Sequence, residues 1–366
     1  MGKLLLLLPN LDAGGAQRAL LRIAAGEADR GHDVHLAIID NQIEYAVPKG
    51  IKLHIISPRR RLVSGGWLGK RLAAARLRNW YRKANAEKPF DLIFVSLPFA
   101  HEIAKLAALP SVWYQVVNTL SAEIESLSRN SPRKAQRRLA RYKRLYDGER
   151  VATVSHGVTH DLVETLEICP REAVTIYNPF DLEAMREATK ALPADIPQEP
   201  YVLHVGRFAK QKRHDILLNA YVASQIPHRL VLITRNEDVS PLQALVNTHG
   251  LHDRVSVLDF RENVFPWYAR ASAFVLSSDF EGMPNVIVEA LAAGTPVVST
   301  DCPSGPREVL VGVLARYLAP CGDAEALGGK LRDIVQNPPT IDPAVLRPFS
   351  MERSLDMIES LATGRT

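Results

Sequence analysis

The stretch Ser277-Ser-Asp-Phe-Glu-Gly-Met-Pro-Asn-Val-Ile-Val-Glu-Ala-Leu-Ala-Ala-Gly-Thr-Pro-Val-Val-Ser-Thr300 decides how this chain is read. Ala273–Leu276 just before it and Pro296–Ser299 near its end are short apolar runs of the kind that form buried strands. Between them Asn285–Ala293 reads as a helix stopped by Gly294, with Ala290, Leu291 and Ala293 turned to a sheet. Pro284 stands where the helix begins, a place at which its missing N–H does no harm. Glu281 precedes the Gly282-Met283-Pro284-Asn285 loop, and Glu289 follows on the first turns of the helix. Backbone N–H groups of Met283, Asn285 and Val286 at such a helix start favour an anion. A carboxylate at Glu289 suits the vicinal hydroxyls of a ribose, as acidic residues do in other nucleotide folds. Complementing the helix dipole would explain one glutamate, but explains the pair poorly.

Outward from this unit the same alternation continues. Tyr201–Val205, Leu230–Thr234 and Val255–Leu258 are strand-like, with helical patterns over Ile216–Ser224 and Pro241–His249. The first half repeats it with strands at Lys3–Pro9, Asp33–Ile39, Leu53–Ile56, Asp91–Ser96, Ser111–Val117 and Arg150–Val154, and a helix over Ala16–Arg30. Strands alternating with helices predict α/β architecture with parallel sheets covered on both faces. Ala191–Pro200, with three prolines in ten residues, reads as a linker. With 366 residues the chain also exceeds what one core usually serves. Two Rossmann-like domains facing one another across a cleft are therefore expected.

Two further turns carry phosphate chemistry. Strand Tyr201–Val205 runs into Gly206-Arg-Phe-Ala-Lys-Gln-Lys212, placing Gly206, Arg207, Lys210 and Lys212 at a strand's carboxyl end, where open α/β sheets bind ligands. Cations there would neutralise a diphosphate, and Arg can bond two of its oxygens at once. After the first strand, Gly14-Gly15 opens a helix and suits close approach of a phosphate, although an ordinary turn explains this pair equally well. The turn lacks the GxGxxG spacing of dinucleotide folds, which removes the main support for a nicotinamide cofactor.

Strand, Gly206-Arg-Phe-x-x-x-Lys212, then Glu281-x7-Glu289, then Asp301-Cys-Pro-Ser-Gly-Pro-Arg-Glu308 together resemble the retaining GT-B glycosyltransferases of family 4. The likeness extends to Gly14-Gly15, to Leu318-Ala-Pro-Cys-Gly-Asp323 and to a final helix near Phe349–Leu361, and so covers essentially the whole chain. It implies an acceptor-binding domain over 1–190, joined by a returning C-terminal helix at 350–366, and a nucleotide-sugar domain over 191–349. It implies that Arg207 and Lys212 hold the donor diphosphate and that Glu289 holds the ribose. Glu281, with the backbone of Gly282, Met283, Pro284, Asn285 and Val286, would hold the sugar and its phosphate, and Gly206 would line the same turn. Gly15 would abut the diphosphate from the other domain, and the base would lie near Phe260–Arg261. Arg207, Lys212 and Glu281 are thus the candidate catalytic set.

The chain departs from the family at two places. A histidine that family members often carry near Val117 is missing; Asn118 stands beside that position, and His101 and His156 are candidates to occupy the space. Where the family often has Gly-x-Gly, this chain has Thr234-Arg-Asn-Glu237.

No Asp-x-Asp occurs, and no His/Cys cluster has ligand spacing, so transfer is expected without a metal or other cofactor. Three cysteines are too few and too scattered for a disulfide framework. The longest strictly aliphatic run, Leu4–Leu8, is too short for a spanning helix or a signal peptide, which points to the cytoplasm. Residues 1–183 hold 27 basic against 19 acidic side chains, the remainder 18 against 21. The excess gathers in Arg59–Lys83, with no acid, and in Arg129–Arg150, where Ala135, Leu139, Tyr142 and Tyr146 add an apolar stripe. Trp67, Trp80 and Tyr81 are interleaved in the first stretch. Such helices lie on anionic membranes or grip phosphorylated acceptors; packing on its own domain explains the stripe equally well but not the excess of cations. Nucleic acid is not expected, as no helix-turn-helix, zinc-finger or RNP pattern accompanies the charge.

The expected activity is transfer of a sugar from a nucleotide-sugar, a UDP-sugar first, to a lipid-linked or lipopolysaccharide-type glycan, with retention. Its place would be the inner face of the cytoplasmic membrane. The alternatives on the same architecture are a non-hydrolysing sugar-nucleotide epimerase, a phosphorylase, and a non-catalytic nucleotide-sugar-binding protein.

Overall fold

The computed structural model describes residues 1–12, 14–57 and 66–363. The chain forms two compact units, Met1–Phe180 with Met351–Thr366, and Asp181–Ser350. The division at Phe180 falls ahead of the proline-rich stretch 191–200, so the helix Leu182–Ala188 belongs to the second unit.

The first unit holds a seven-stranded sheet in the order β3-β2-β1-β4-β5-β6-β7. Its strands are β1 (Lys3–Leu8), β2 (Asp33–Ile38), β3 (Lys52–Ile55), β4 (Leu92–Ser96), β5 (Val112–Val116), β6 (Arg150–Thr153) and β7 (Glu172–Thr175), and every pairing is parallel. The unbroken leucines of β1 are buried throughout, as befits a central strand covered on both faces. β7 escapes the sequence reading because it is short and only partly buried, so it lacks the apolar run of its neighbours.

The final helix, Met351–Thr363, packs on this unit: Leu355, Ile358 and Leu361 join the core built around Leu4, Leu6 and Leu8. A Cβ on Gly26 would stand 2.5 Å from Leu355 Cδ1. Glycine within the helix Gly15–Asp29 thus lets the last helix approach closely.

The second unit holds a six-stranded sheet, β10-β9-β8-β11-β12-β13, again parallel. Its strands are β8 (Tyr201–Val205), β9 (Arg229–Ile233), β10 (Val255–Leu258), β11 (Ala273–Leu276), β12 (Val297–Thr300) and β13 (Leu318–Ala319). The helices His214–Ser224 and Ala324–Gln336 cover one face; a Cβ on Gly328 would sit 2.5 Å from Ala220 O, which sets how closely they pack. In both sheets the order reverses beside the first strand of the unit, between β1 and β4 and between β8 and β11. Ligands of open α/β sheets bind at the carboxyl edge of such a reversal.

Of the two readings of the apolar stripe on the helix Pro132–Tyr146, the structure favours packing on its own domain. Ala135, Tyr142 and Tyr146 are buried and Leu139 is half-buried, so the stripe is chiefly the helix's inward face. Of the Arg59–Lys83 stretch, Arg59, Arg60 and Arg61 lie outside the described residues.

Candidate active site

The two loops singled out in the second unit leave neighbouring strands at its reversal point. Gly206–Arg213 follows β8, Ser277–Pro284 follows β11, and β8 pairs with β11. They are laced together. Gln211 O accepts from Asp279 N–H at 2.8 Å, and Gln211 Nε2 donates to Phe280 O at 3.1 Å. Ser277 Oγ donates to Lys212 O at 2.7 Å. Arg213, in the left-handed region at φ 48°, donates to both Asp215 and Asp279, with Nη1 3.0 Å from Asp279 Oδ1. These two carboxylates hold its guanidinium above its usual pKa.

Lys212 and Glu281 meet at the centre. Lys212 Nζ donates to Glu281 Oε1 at 2.6 Å, and Ser278 Oγ donates to the same oxygen at 2.6 Å. Both charged side chains are largely buried. A buried pair with a hydroxyl on the same carboxylate is satisfied in place, whereas either ion alone there would be costly. Ser278 is in turn fixed through its carbonyl, which accepts from Thr300 Oγ1 at 2.6 Å.

Beneath the pair lie His204 and His214, ring centroids 4.9 Å apart. Burial drives both imidazoles toward the neutral form, His214 down to about 4, with the Lys212 charge adding to the effect. A Cβ on Gly206 would meet His204 Nε2 at 3.1 Å and the Lys212 stem at 3.8 Å, so glycine keeps this turn close over both.

Arg207 and Lys210 are exposed, and Arg207 makes no side-chain hydrogen bond or ion pair to a described residue. It remains available to an anion. Glu289 is buried on the helix Asn285–Ala292, with Tyr268 Oη 3.5 Å from Oε2. At the start of that helix one expectation needs correction. The N–H of Asn285 donates to Met283 O at 3.0 Å, a turn that takes it away from an incoming anion. Those of Met283 and Val286 have no such partner among the described residues.

Gly282 and Pro284 rest on a residue the sequence reading quoted but gave no role. Gly305 has φ 91°, and a Cβ there would stand 2.2 Å from Pro284 Cδ and 3.2 Å from Gly282 O. The segment Asp301–Glu308 therefore sets the height of the loop that carries Glu281. Ser278 and Tyr268 were missed for a simpler reason: serines and tyrosines carry no pattern of their own. Near the expected base position, Phe260 is exposed, but Arg261 is committed to Asp195 at 2.8 Å and to Asp259.

In the first unit, Gly15 opens the helix after β1 and is exposed, with Gly14 at an ordinary extended φ of −121°. Asn118 follows β5 and His156 follows β6, at the same carboxyl edge. His156 is exposed and its ring meets Tyr177 edge-on at 5.8 Å.

His101 does not join them. It is fully buried, Nδ1 lies 3.0 Å from Tyr146 Oη and Nε2 lies 3.0 Å from Val95 O. With a carbonyl on Nε2 that nitrogen carries the proton and Nδ1 accepts from the tyrosine, so both are spent. Burial lowers its pKa to about 3. His101 is a core residue and no sugar contact.

Carboxylate and imidazole ligand atoms do gather at one place among the described residues, Glu27, His32 and Glu359, within 4.8 Å of one another. This lies between the last turn of the helix Gly15–Asp29 and the final helix. His32 Nδ1 accepts from Gly2 N–H at 3.0 Å, so Nε2 holds the proton and faces Glu359 Oε1 at 3.1 Å. A protonated nitrogen is no metal ligand. Glu27 is fully buried beside it, and burial raises its pKa to about 8.

Residues 13–184 match the family described as Glycosyltransferase Family 4, and residues 199–337 match that described as Glycosyl transferases group 1. Together the two matches take in most of both units. The chain is a GT-B glycosyltransferase. This transferase is 27% identical over 310 residues to the N-acetylgalactosamine-N,N'-diacetylbacillosaminyl-diphospho-undecaprenol 4-alpha-N-acetylgalactosaminyltransferase of Campylobacter jejuni, covering 84% of this chain and 83% of that one. It is 26% identical over 214 residues to the lipopolysaccharide 1,6-galactosyltransferase of Salmonella typhimurium, covering 56% of this chain and 57% of that one. Among solved structures, the Anabaena protein HepE in complex with UDP and glucose superposes with a TM-score of 0.76 at 20% identity, over 100% of both chains. No helix among the described residues is long and apolar enough to cross a membrane.

Proposed function

We propose that this GT-B glycosyltransferase moves a sugar from a UDP-sugar to a lipid-linked or lipopolysaccharide-type glycan acceptor, with retention and without a metal, at the inner face of the cytoplasmic membrane. The observation that carries the donor half is the Lys212–Glu281 pair, with Ser278, between the ends of β8 and β11. The acceptor half is supported by the Campylobacter relative, whose name describes a diphospho-undecaprenol substrate, and by the Salmonella lipopolysaccharide enzyme. UDP and glucose in HepE support the donor class.

In this reading Arg207 and Lys212 bind the donor diphosphate, with the N–H groups of Met283 and Val286 on its oxygens and Glu289 on the ribose hydroxyls. Glu281 orients the sugar, while Ser278 and Lys212 hold its carboxylate in place. The C1–O bond to the β-phosphate breaks as a bond from C1 to the acceptor oxygen forms on the same face. The acceptor proton passes to the departing phosphate oxygen. Charge grows on that oxygen in the transition state, and preorganised cations there are usually the largest contribution to such catalysis. A double displacement would need a carboxylate nucleophile on the opposite face of the sugar. Glu281, held on one oxygen by both Lys212 and Ser278, suits orientation better.

The first unit would take the acceptor at the strand ends that carry Gly15, Asn118 and His156. Incubation with UDP-sugars and lipid-linked acceptor extracted from membranes, with chelator present, should give product whose anomeric proton couples as in the donor. Product of inverted configuration would refute retention, and dependence on added divalent metal would refute metal independence. Interconversion of free UDP-sugars without acceptor would support the epimerase instead; the transferase relatives do not favour it.

A further inference from the structure

The first basic stretch, where Trp67 is interleaved with the cations, carries an exposed apolar feature that the buried stripe of the second does not. Trp67, Leu68 and Leu72 are 63%, 66% and 48% exposed, a contiguous apolar tip on the first turns of the helix Gly66–Glu87. Arg71 lies over the Trp67 ring at 4.1 Å. The helix has no acid in its first turn.

The tip stands beside the second basic helix. Lys70, one turn after Trp67, bonds Glu102 on the helix Pro98–Leu106, and Arg141 Nε donates to the other oxygen of Glu102 at 2.6 Å. Further along, Arg78 Nη2 reaches Leu106 O at 2.8 Å and Lys105 Nζ reaches Arg144 O at 2.7 Å. Later residues meet later residues, so the three helices run the same way.

Trp67 and Arg137 are therefore displaced in the same direction from Glu102, toward the helix starts. Helices of a parallel sheet that lead into a strand begin at the sheet's carboxyl edge. The tip thus shares an edge of the first unit with Gly15, Asn118 and His156. Arg133, Lys134 and Arg137 are exposed there, and no ion pair with a described residue occupies them.

We infer that Trp67, Leu68 and Leu72 form a wedge that enters the headgroup–acyl boundary of an anionic bilayer, with Arg71, Arg133, Lys134 and Arg137 against the headgroups. The inference rests on the reading of this enzyme as one that works at a membrane surface, and adds which residues enter it. The apolar tip supplies burial that salt does not screen, and the cations supply attraction to anionic lipid, the two signals stable attachment requires. Tryptophan suits the interface because its ring is apolar and its N–H is polar.

The test uses the full chain with phosphatidylcholine vesicles, with and without phosphatidylglycerol, some carrying brominated chains. Trp113 and Trp267 are buried and Trp80 is half-buried against His54 and Phe90, so the part of the bromine quenching that Trp67→Ser removes reports on Trp67. Wild type should bind the anionic vesicles, shift its emission to the blue, be quenched, and keep part of its binding at high salt. The triple variant Trp67→Ser, Leu68→Ser, Leu72→Ser should bind at least about tenfold more weakly and lose the remainder in salt. The variant Arg133→Ser, Lys134→Ser, Arg137→Ser should lose the preference for anionic vesicles. All positions are exposed, and unchanged melting temperature and UDP affinity check that the variants fold. If the apolar variant binds like wild type, or Trp67 is not quenched in bound protein, the wedge is refuted while membrane docking stands. If wild type ignores anionic vesicles, docking and wedge both fall.

Discussion

Gly305→Ala separates collision at the active-site loop from backbone strain. The residue has φ 91° and ψ −57°, outside the left-handed helical well, where a Cβ costs roughly 1–3 kcal/mol whatever its surroundings. Its new carbon would also stand 2.2 Å from Pro284 Cδ, whereas carbon atoms in contact settle near ~3.5–4.0 Å. The proline ring fixes its own backbone and cannot swing aside, so the loop from Glu281 to Pro284 must move by about 1 Å or more. Gly294 is the control for a positive φ, 84° there, because nothing lies within 4 Å of an added Cβ. Gly294→Ala should cost the strain alone and leave turnover within a few-fold of wild type. Gly305→Ala should cost a further ~1–3 kcal/mol from overpacking. It should also lower turnover by about 100-fold, because a 1 Å misplacement of a positioning group has that effect. Urea denaturation and sugar transfer on both variants decide the matter. Equal stability loss and equal activity in the two would refute the claim that Asp301–Glu308 supports the donor loop.

Other outcomes follow from the same geometry. Lys212→Met should lower turnover by about 10²–10³-fold and destabilise the fold by leaving Glu281 without its cation. Adding Glu281→Gln should restore much of the stability and none of the activity, which denaturation and turnover can check side by side. Arg207→Ala should leave stability within about 0.5 kcal/mol, since the side chain touches no described partner, and still reduce turnover at least about tenfold; a wild-type rate would remove it from the diphosphate site. Stability should also depend on pH. Burial holds His54 and His214 at about 4, His101 at about 3 and His204 well below its usual value, while the unfolded chain titrates them near 6.5. Their contribution is present above pH 6.5 and is lost as pH falls from there through the folded values. Glu27, raised from 4.5 to about 8, acts the other way, fully stabilising below 4.5 and losing its contribution as pH rises through 8. The histidines outnumber it, so the unfolding free energy from urea denaturation should fall as pH drops from about 6.5 to about 5, by up to ~1.4 kcal/mol per pH unit for each uncompensated proton.

How much of this was readable in the residues depended on the kind of signal. Central strands such as β1 and β11 announce themselves because burial on both faces demands continuous apolar runs. The edge strands β7 and β13 do not, being short and half-covered. Glu281 and Lys212 stood out through position at strand ends, but nothing in their spacing of 69 residues announces that they bond each other. That contact arises from the pairing of β8 with β11, a long-range property. His101 was misread because a lone histidine carries no mark of its tertiary partners, here Tyr146 and Val95. The apolar stripe Ala135–Tyr146 was real as periodicity; periodicity tells which residues share a face, and packing tells whether that face looks inward.

The most direct test of the donor site is calorimetric titration of UDP, in the presence of chelator, into wild type and Glu289→Ala. A bound nucleotide should appear at one per chain in the wild type, and the variant should bind at least about tenfold more weakly through loss of the ribose contact. Equal affinity in the two proteins, or no binding until a divalent metal is added, would contradict a metal-independent UDP-sugar site built around Lys212, Glu281 and Glu289.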